Sequence, residues 1–308
     1  MALPLIDRTL DGARAQLGEA LFSRVAGPDG ARMRDRIHGT PGPRRFSADD
    51  PIARVHGDAS MFIGGMRALM LQALHPVAMT AVSEHSGYRG DMWGRLNRTA
   101  TFLAATTFAT DEHADQAVAA VRRIHERITG TMPDGTPYTA ADPHLLRWVH
   151  VAEIDSFLLA HQTYGAHPLS ADDADLYVHQ AAHTAEALGA TDVPHTVAEL
   201  AAALASYRPE LRGTDHAREA VRYLLWKPPL PLAARPPYGV LGAAAVGLMP
   251  AWTRLPLRLP WLPVTERTAV RVLGGLSTST IRWAMSVDRG AADQLRASAA
   301  APGADAAD

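Results

Sequence analysis

The sequence predicts an all-α fold, on three observations. No run of residues alternates apolar and polar side chains over the length a half-buried strand needs. Several long stretches instead repeat apolar residues at spacings of three and four, opening at capping residues and closing at Gly or Pro. With 47% hydrophobic and 20% charged residues in 308, the chain can bury a sizeable core. No fixed-period repeat is present, so a multi-helix globular bundle is expected rather than a solenoid.

Taken in order, residues 1–21 carry a helical pattern, and residues 1–34 read as an N-terminal helical arm before a body over 35–290. Residues 27–51 hold several prolines and glycines among scattered arginines, which predicts an irregular wrapping segment. Residues 61–85 are apolar nearly all round, the pattern of a buried helix, with Arg67 as the exception. Pro76 should kink that helix just after His75. A glycine-punctuated loop from Ser86 runs into a helix ending near Phe108. There Arg95, Arg98 and Thr99 share a face, and two arginines so placed call for an anion; a solvated helix start with Asp91 pairing locally explains the same residues.

Residues 111–128 form an amphipathic helix with His125 inward, and 131–139 a turn-rich connector around Asp134-Gly135. Residues 142–160 are the stretch on which the chain is organised. Asp142 can accept from orphan amides, Pro143 fits the first helical position, and Leu146, Val149, Ile154 and Phe157 make one stripe. His150 lies within that stripe, with Glu153 one turn on and Trp148 and Asp155 pointing elsewhere. A core histidine satisfied by one hydrogen bond is one reading; a metal ligand on a rigid helical mount is the other.

Further helices are expected from Ser170, over 196–207 and over 215–226, then a rigid extended linker over 228–237. Residues 240–249 should make a short helix, followed by a proline-rich segment with Trp252 and Trp261, and 265–285 a last helix. Peripheral membrane contact is conceivable for that segment, but a packed arm is favoured. Residues 291–308 are Ala-rich and read as a disordered tail. His179 and His183 stand at i and i+4 with Glu186 three further on, a spacing that can hold a metal, but they fall off the apolar stripe and read as a solvated face.

Composition narrows the chemistry. The absence of cysteine excludes disulfides, thiolate haem ligation and Cys-type zinc or iron–sulfur sites. Dispersed basic residues and a net charge of −2 give no footprint for nucleic acid. The first residues lack an uninterrupted apolar h-region, so a cytoplasmic location is expected.

Three segments resemble a known family: Leu71 to Pro76 (LQALHP), Glu84 to Ser86 with Gly90 to Thr99 (EHS, GDMWGRLNRT), and Asp142 to Leu158 (DPHLLRWVHVAEIDSFL). They are similar to the oxygenase domain shared by latex-clearing proteins and MpaB-type oxygenases, over roughly residues 35–285 by motif order. The resemblance implies a bundle around a buried haem pocket, one haem b whose iron is held by a single histidine matching His150, and cleavage of apolar, isoprenoid-like substrates with O2. It places Arg95 and Thr99 beside the cofactor, with His75 nearby and Arg95, Arg98 and Thr99 as catalytic candidates. Arg98 stands where the rubber-cleaving members carry a lysine. A guanidinium keeps its proton and is a poor iron ligand, so a propionate, a carboxylate or bound oxygen is its expected partner. The substrate, any electron donor and the oligomeric state stay open. Two other readings remain: a non-haem carboxylate–histidine iron enzyme drawing on Glu84, His85, His150 and Glu153, and a non-catalytic lipid or small-molecule binding protein.

Overall fold

The computed structural model describes residues 29–85 and 92–300, with scattered positions between 12 and 27. The helix expected over 1–21 lies mostly outside the described residues, as does the loop expected from Ser86. In chain order come α1 (Gly30–Gly39), α2 (Pro51–His56), α3 (Met61–Gln72), α4 (Pro76–His85), α5 (Met92–Phe108) and α6 (Asp111–Arg127). One hairpin, β1 (Thr129–Thr131) with β2 (Pro137–Thr139), precedes α7 (Pro143–Tyr164), α8 (Ala171–Leu188), α9 (Val197–Ser206) and α10 (Asp215–Trp226). Then follow α11 (Arg235–Gly247), α12 (Arg254–Leu257), α13 (Arg271–Ala284) and α14 (Ser286–Ala300). The fold is all-α.

Local chemistry explains the boundaries. The Asp142 carboxylate accepts from the amides of His144 at 2.8 Å and Leu145 at 3.2 Å, and Pro143 opens α7 where no amide is needed. Ser170, Thr196 and Thr214 cap α8, α9 and α10 in the same manner, each accepting from an amide three residues on. Gly189 closes α8 with φ +107°, a conformation a side chain would strain. Pro76 separates α3 from α4 as predicted.

The chain divides into two compact units. The second, Asp49–Tyr88 with Val118–Ser279, is built on α3 lying along α7. Close approach needs Gly64, where a Cβ would come within 3.2 Å of the Ser156 carbonyl oxygen and Phe157 Cα. Ile63, Met70, Leu71, Trp148 and Val151 are fully buried in this unit; each stabilises the fold by about 1.5–3 kcal/mol. Arg67 is also inside, donating to the Leu248 carbonyl at 2.9 Å and Ser156 Oγ at 2.7 Å, and lying 2.7 Å from the Asp155 carboxylate. α7 is therefore buried on more sides than one stripe predicts: Trp148, expected to point away, has no exposure at all.

The first unit gathers Met1–Ala48, Arg89–Ala117 and Thr280–Asp308. Here α1 packs against α5 and α14, and Leu295 covers Gly39. The Arg44 guanidinium donates to the carbonyls of Ile37, His38 and Thr40 at the end of α1, and to that of Phe108 at the end of α5. It thereby satisfies helix-end acceptors that would otherwise be orphaned.

Several expectations are corrected. The irregular stretch 27–51 contains α1, and the connector 131–139 closes a hairpin that begins at Thr129, with Gly135 at φ +89° in its turn. The linker expected over 228–237 is a 3-10 turn at Leu232–Ala234 and the start of α11. Pro236 and Pro237 stand in the first turn of α11, where a missing amide costs nothing. The Ala-rich stretch read as a disordered tail is helical as far as Ala300; alanine favours helix, and Ala292 is buried. Residues 301–308 lie outside the described ones. The proline-rich segment packs only in part: Arg254 is buried and binds Glu266 through both terminal nitrogens, at 2.9 and 3.0 Å, while Leu255, Trp261, Leu262 and Val264 are exposed. Among the described residues no single helix is long and apolar enough to cross a membrane.

Candidate functional site

His150 sits two turns into α7 with its ring inside the second unit, 7% exposed. Its Nε2 is buried and has no hydrogen-bond partner. Burial, with a smaller contribution from the charge of His195, holds the imidazole down to about 4. At neutral pH the ring is thus uncharged, and a ring nitrogen is left without the bond a structural histidine would make.

One turn on, the half-buried Glu153 carboxyl is pushed up to about 7 by burial. It faces Tyr177 on α8, whose hydroxyl is held well above its ordinary value, first by burial and then by the Glu153 charge. The Tyr177 hydroxyl stands 3.3 Å from His56 Nε2, and the His56 ring meets Phe157 edge-on at 5.6 Å. Leu146, one turn before His150, joins Ala182, Ala185, Ala190 and Val193 in an apolar cluster between α7 and α8. The surroundings of His150 combine dry walls with one carboxyl that can hold or release a proton near neutral pH.

The other predicted residues fall into separate places. Arg95, Arg98 and Thr99 lie on α5 in the first unit; Arg95 is half-buried, Arg98 and Thr99 exposed. Burial, then the neighbouring Arg98 charge, lowers the Arg95 pKa. The Thr99 hydroxyl donates to the Arg95 carbonyl one turn back at 3.1 Å. His179, His183 and Glu186 are on an exposed face as expected, but His195 ties two of them together: its Nδ1 is 3.2 Å from that of His179 and its Nε2 3.0 Å from Glu186. Glu84 and His85 meet at the hairpin, where the Tyr138 hydroxyl donates to Glu84 at 2.5 Å and stands 3.2 Å from His85 Nε2. His75, buried at the start of α4, is brought to His144 and Glu210. Among the described residues, Glu84, His85, His150 and Glu153 form no group with metal-ligand spacing.

Sequence reasoning missed His195, Tyr177, His144 and Glu210. Of these only His144 carried a signal, as the residue after the predicted helix start at Pro143. Two surface cavities, of about 400 Å³ beside Arg218, Arg222 and Arg258 and about 200 Å³ beside Tyr164, Trp261 and Arg271, do not include His150.

With that geometry in place, the sequence matches the family described as ER-bound oxygenase mpaB/B'/Rubber oxygenase, catalytic domain, over residues 53–279. The chain belongs to this family. No curated protein and no solved structure matches it. Membership makes this MpaB/rubber oxygenase domain an oxidoreductase of the oxygenase kind. The matched span begins and ends inside the 35–285 expected from the motifs; it starts within α2 and contains α3 to α12, with both His150 and the α5 arginines.

Proposed function

We propose that this oxygenase domain is haem b-dependent, acts on a small apolar substrate with O2, and holds the haem iron through His150. The observation that carries the reading is the buried, partnerless Nε2 of a neutral imidazole. The residues fit the group. A ligand to iron must be unprotonated, and burial ensures that here. α7 supplies a mount locked by Asp142 at its start and by the packing of Leu146, Ile154 and Phe157 along its length. When bound, haem supplies the O2 chemistry itself. The chain's part is to exclude water through the Leu146 cluster, to orient the ring, and to keep the Glu153 carboxyl able to exchange a proton near neutral pH.

The test is an absorption spectrum with iron content, on protein produced with a haem supply, for the wild type and His150→Ala. A Soret band and one iron per chain in the wild type, lost in the variant at unchanged helicity and recovered with added imidazole, is the expected result. Haem retained with normal bands in His150→Ala refutes the ligand assignment, and a wild type without haem refutes the cofactor.

A further inference from the structure

A second constellation lies where three chain segments converge in the second unit. His75 precedes Pro76 at the start of α4, His144 is the second residue of α7, and Glu210 lies in the turn after α9. One ligand atom from each stands within 4.8 Å of the others. Glu210 Oε2 is 2.8 Å from His144 Nε2 and 3.5 Å from His75 Nε2.

We propose that His75, His144 and Glu210 bind one zinc-type divalent transition-metal ion, with a fourth position open to water. The inference does not depend on the haem reading. Donor atoms bonded to such an ion at about 2.0–2.1 Å in tetrahedral array stand roughly 3.3 Å apart. The 3.5 Å pair already has that separation, the 2.8 Å pair reaches it by a shift of about half an ångström in the half-exposed His144 and Glu210 side chains, and the His75–His144 pair, within 4.8 Å, closes through the same shift. Two imidazoles and one carboxylate, without thiolate, are a donor set that catalytic zinc sites use.

The mount is rigid. Tyr207 is fully buried beneath the group, its hydroxyl donating to the His144 carbonyl at 2.8 Å and lying 3.4 Å from His144 Nδ1. The Tyr207 ring meets those of His144 and Trp148 at a tilt, with centroids 4.6 and 5.0 Å away. A backbone bond of 2.8 Å from Arg212 to the Leu74 carbonyl ties the Glu210 segment to His75. A hydrogen-bonded surface pair of His144 with Glu210 accounts for those two residues alone. It leaves His75 Nε2, on a side chain 7% exposed, with no hydrogen bond of good geometry and only the Glu210 carboxylate at 3.5 Å before it. An ion at the open face would satisfy it, and half-exposed His144 and Glu210 give the ion a way in. The Ala78 amide donates to His75 Nδ1 at 3.5 Å, so ligation at Nε2 moves the ring proton to Nδ1 and gives up that long bond.

The test uses the full chain, stripped by chelator and titrated with Zn2+ by calorimetry, with X-ray absorption at the zinc edge so that iron does not interfere. His144→Gln and Glu210→Gln are exposed-site changes that leave the core intact; His179→Gln controls for the surface imidazoles around His195. One zinc per chain with two imidazole ligands is expected. Affinity should fall at least about tenfold in each of the first two variants and stay unchanged in the third. Absence of zinc binding, binding that survives both variants, or loss in His179→Gln overturns the proposal.

Discussion

Replacing Glu153 by Gln isolates the cost of a carboxyl in an apolar setting. Its folded-state pKa, about 7, lies above the ordinary 4.5 of an open carboxyl. Its contribution to stability is therefore fully present below 4.5 and is lost as pH rises to 7 and beyond. Each pH unit of displacement is worth about 1.4 kcal/mol, so the ionised carboxylate costs the folded state about 3 kcal/mol at pH 8. Gln has nearly the same shape and never ionises. At pH 4 the two proteins should be nearly equal in stability; at pH 8 the Glu153→Gln variant should be more stable by about 3 kcal/mol. Urea unfolding followed by circular dichroism between pH 4 and 8, at matched haem content, measures the difference. If the gap between the two proteins is flat across that range, Glu153 reaches solvent and the surroundings of His150 are not dry.

Arg67→Met removes a buried guanidinium and strands the Asp155 carboxylate, Ser156 and the Leu248 carbonyl. Unfolding free energy should fall by about 3–5 kcal/mol, and a loss below 1 kcal/mol in denaturant melts would mean that Asp155 relaxes to water. In Gly213→Ala the new methyl overlaps the Pro256 carbonyl; a destabilisation of about 1–3 kcal/mol in the same melts is expected. Arg95→Ala and Thr99→Ala should lower oxygenase turnover or haem retention more than His179→Ala or His183→Ala. Equal effects across the four, read from iron content and O2 consumption, would remove α5 from the catalytic reading.

What the sequence made legible follows the range over which each signal acts. The α7 start was readable because Asp142 and Pro143 act on amides two and three residues away, and the α3–α4 break because Pro76 acts on its own turn. The proline-rich stretch misled because proline opens a helix as readily as it ends one, and only the packing of Leu241, Ala244 and Ala245 decides for α11. Within the candidate site, a lone apolar stripe pointed to His150 and, one turn on, Glu153. Tyr177 and His195 could not be found that way, since α8 and the turn before α9 bring them in from distant sequence. His75, His144 and Glu210 met for the same reason: three local breaks, each readable alone, converge only in the folded chain.

The first unit is made from three pieces separated by the whole of the second. α1 finds one partner in α5 but the other only in α14, so a growing chain leaves the α14-facing side of α1 uncovered until α14 has been synthesised. The second unit, whose α3 and α7 are available much earlier, can assemble while α1 waits. Folding from the ribosome should thus be completed at the first unit, and closing so long a loop makes that step slow relative to α3–α7 docking. The interval is also when α1 and the Phe108 end of α5 are open to chaperones and proteases, so premature termination before α14 would yield a chain with one finished unit and one unprotected one.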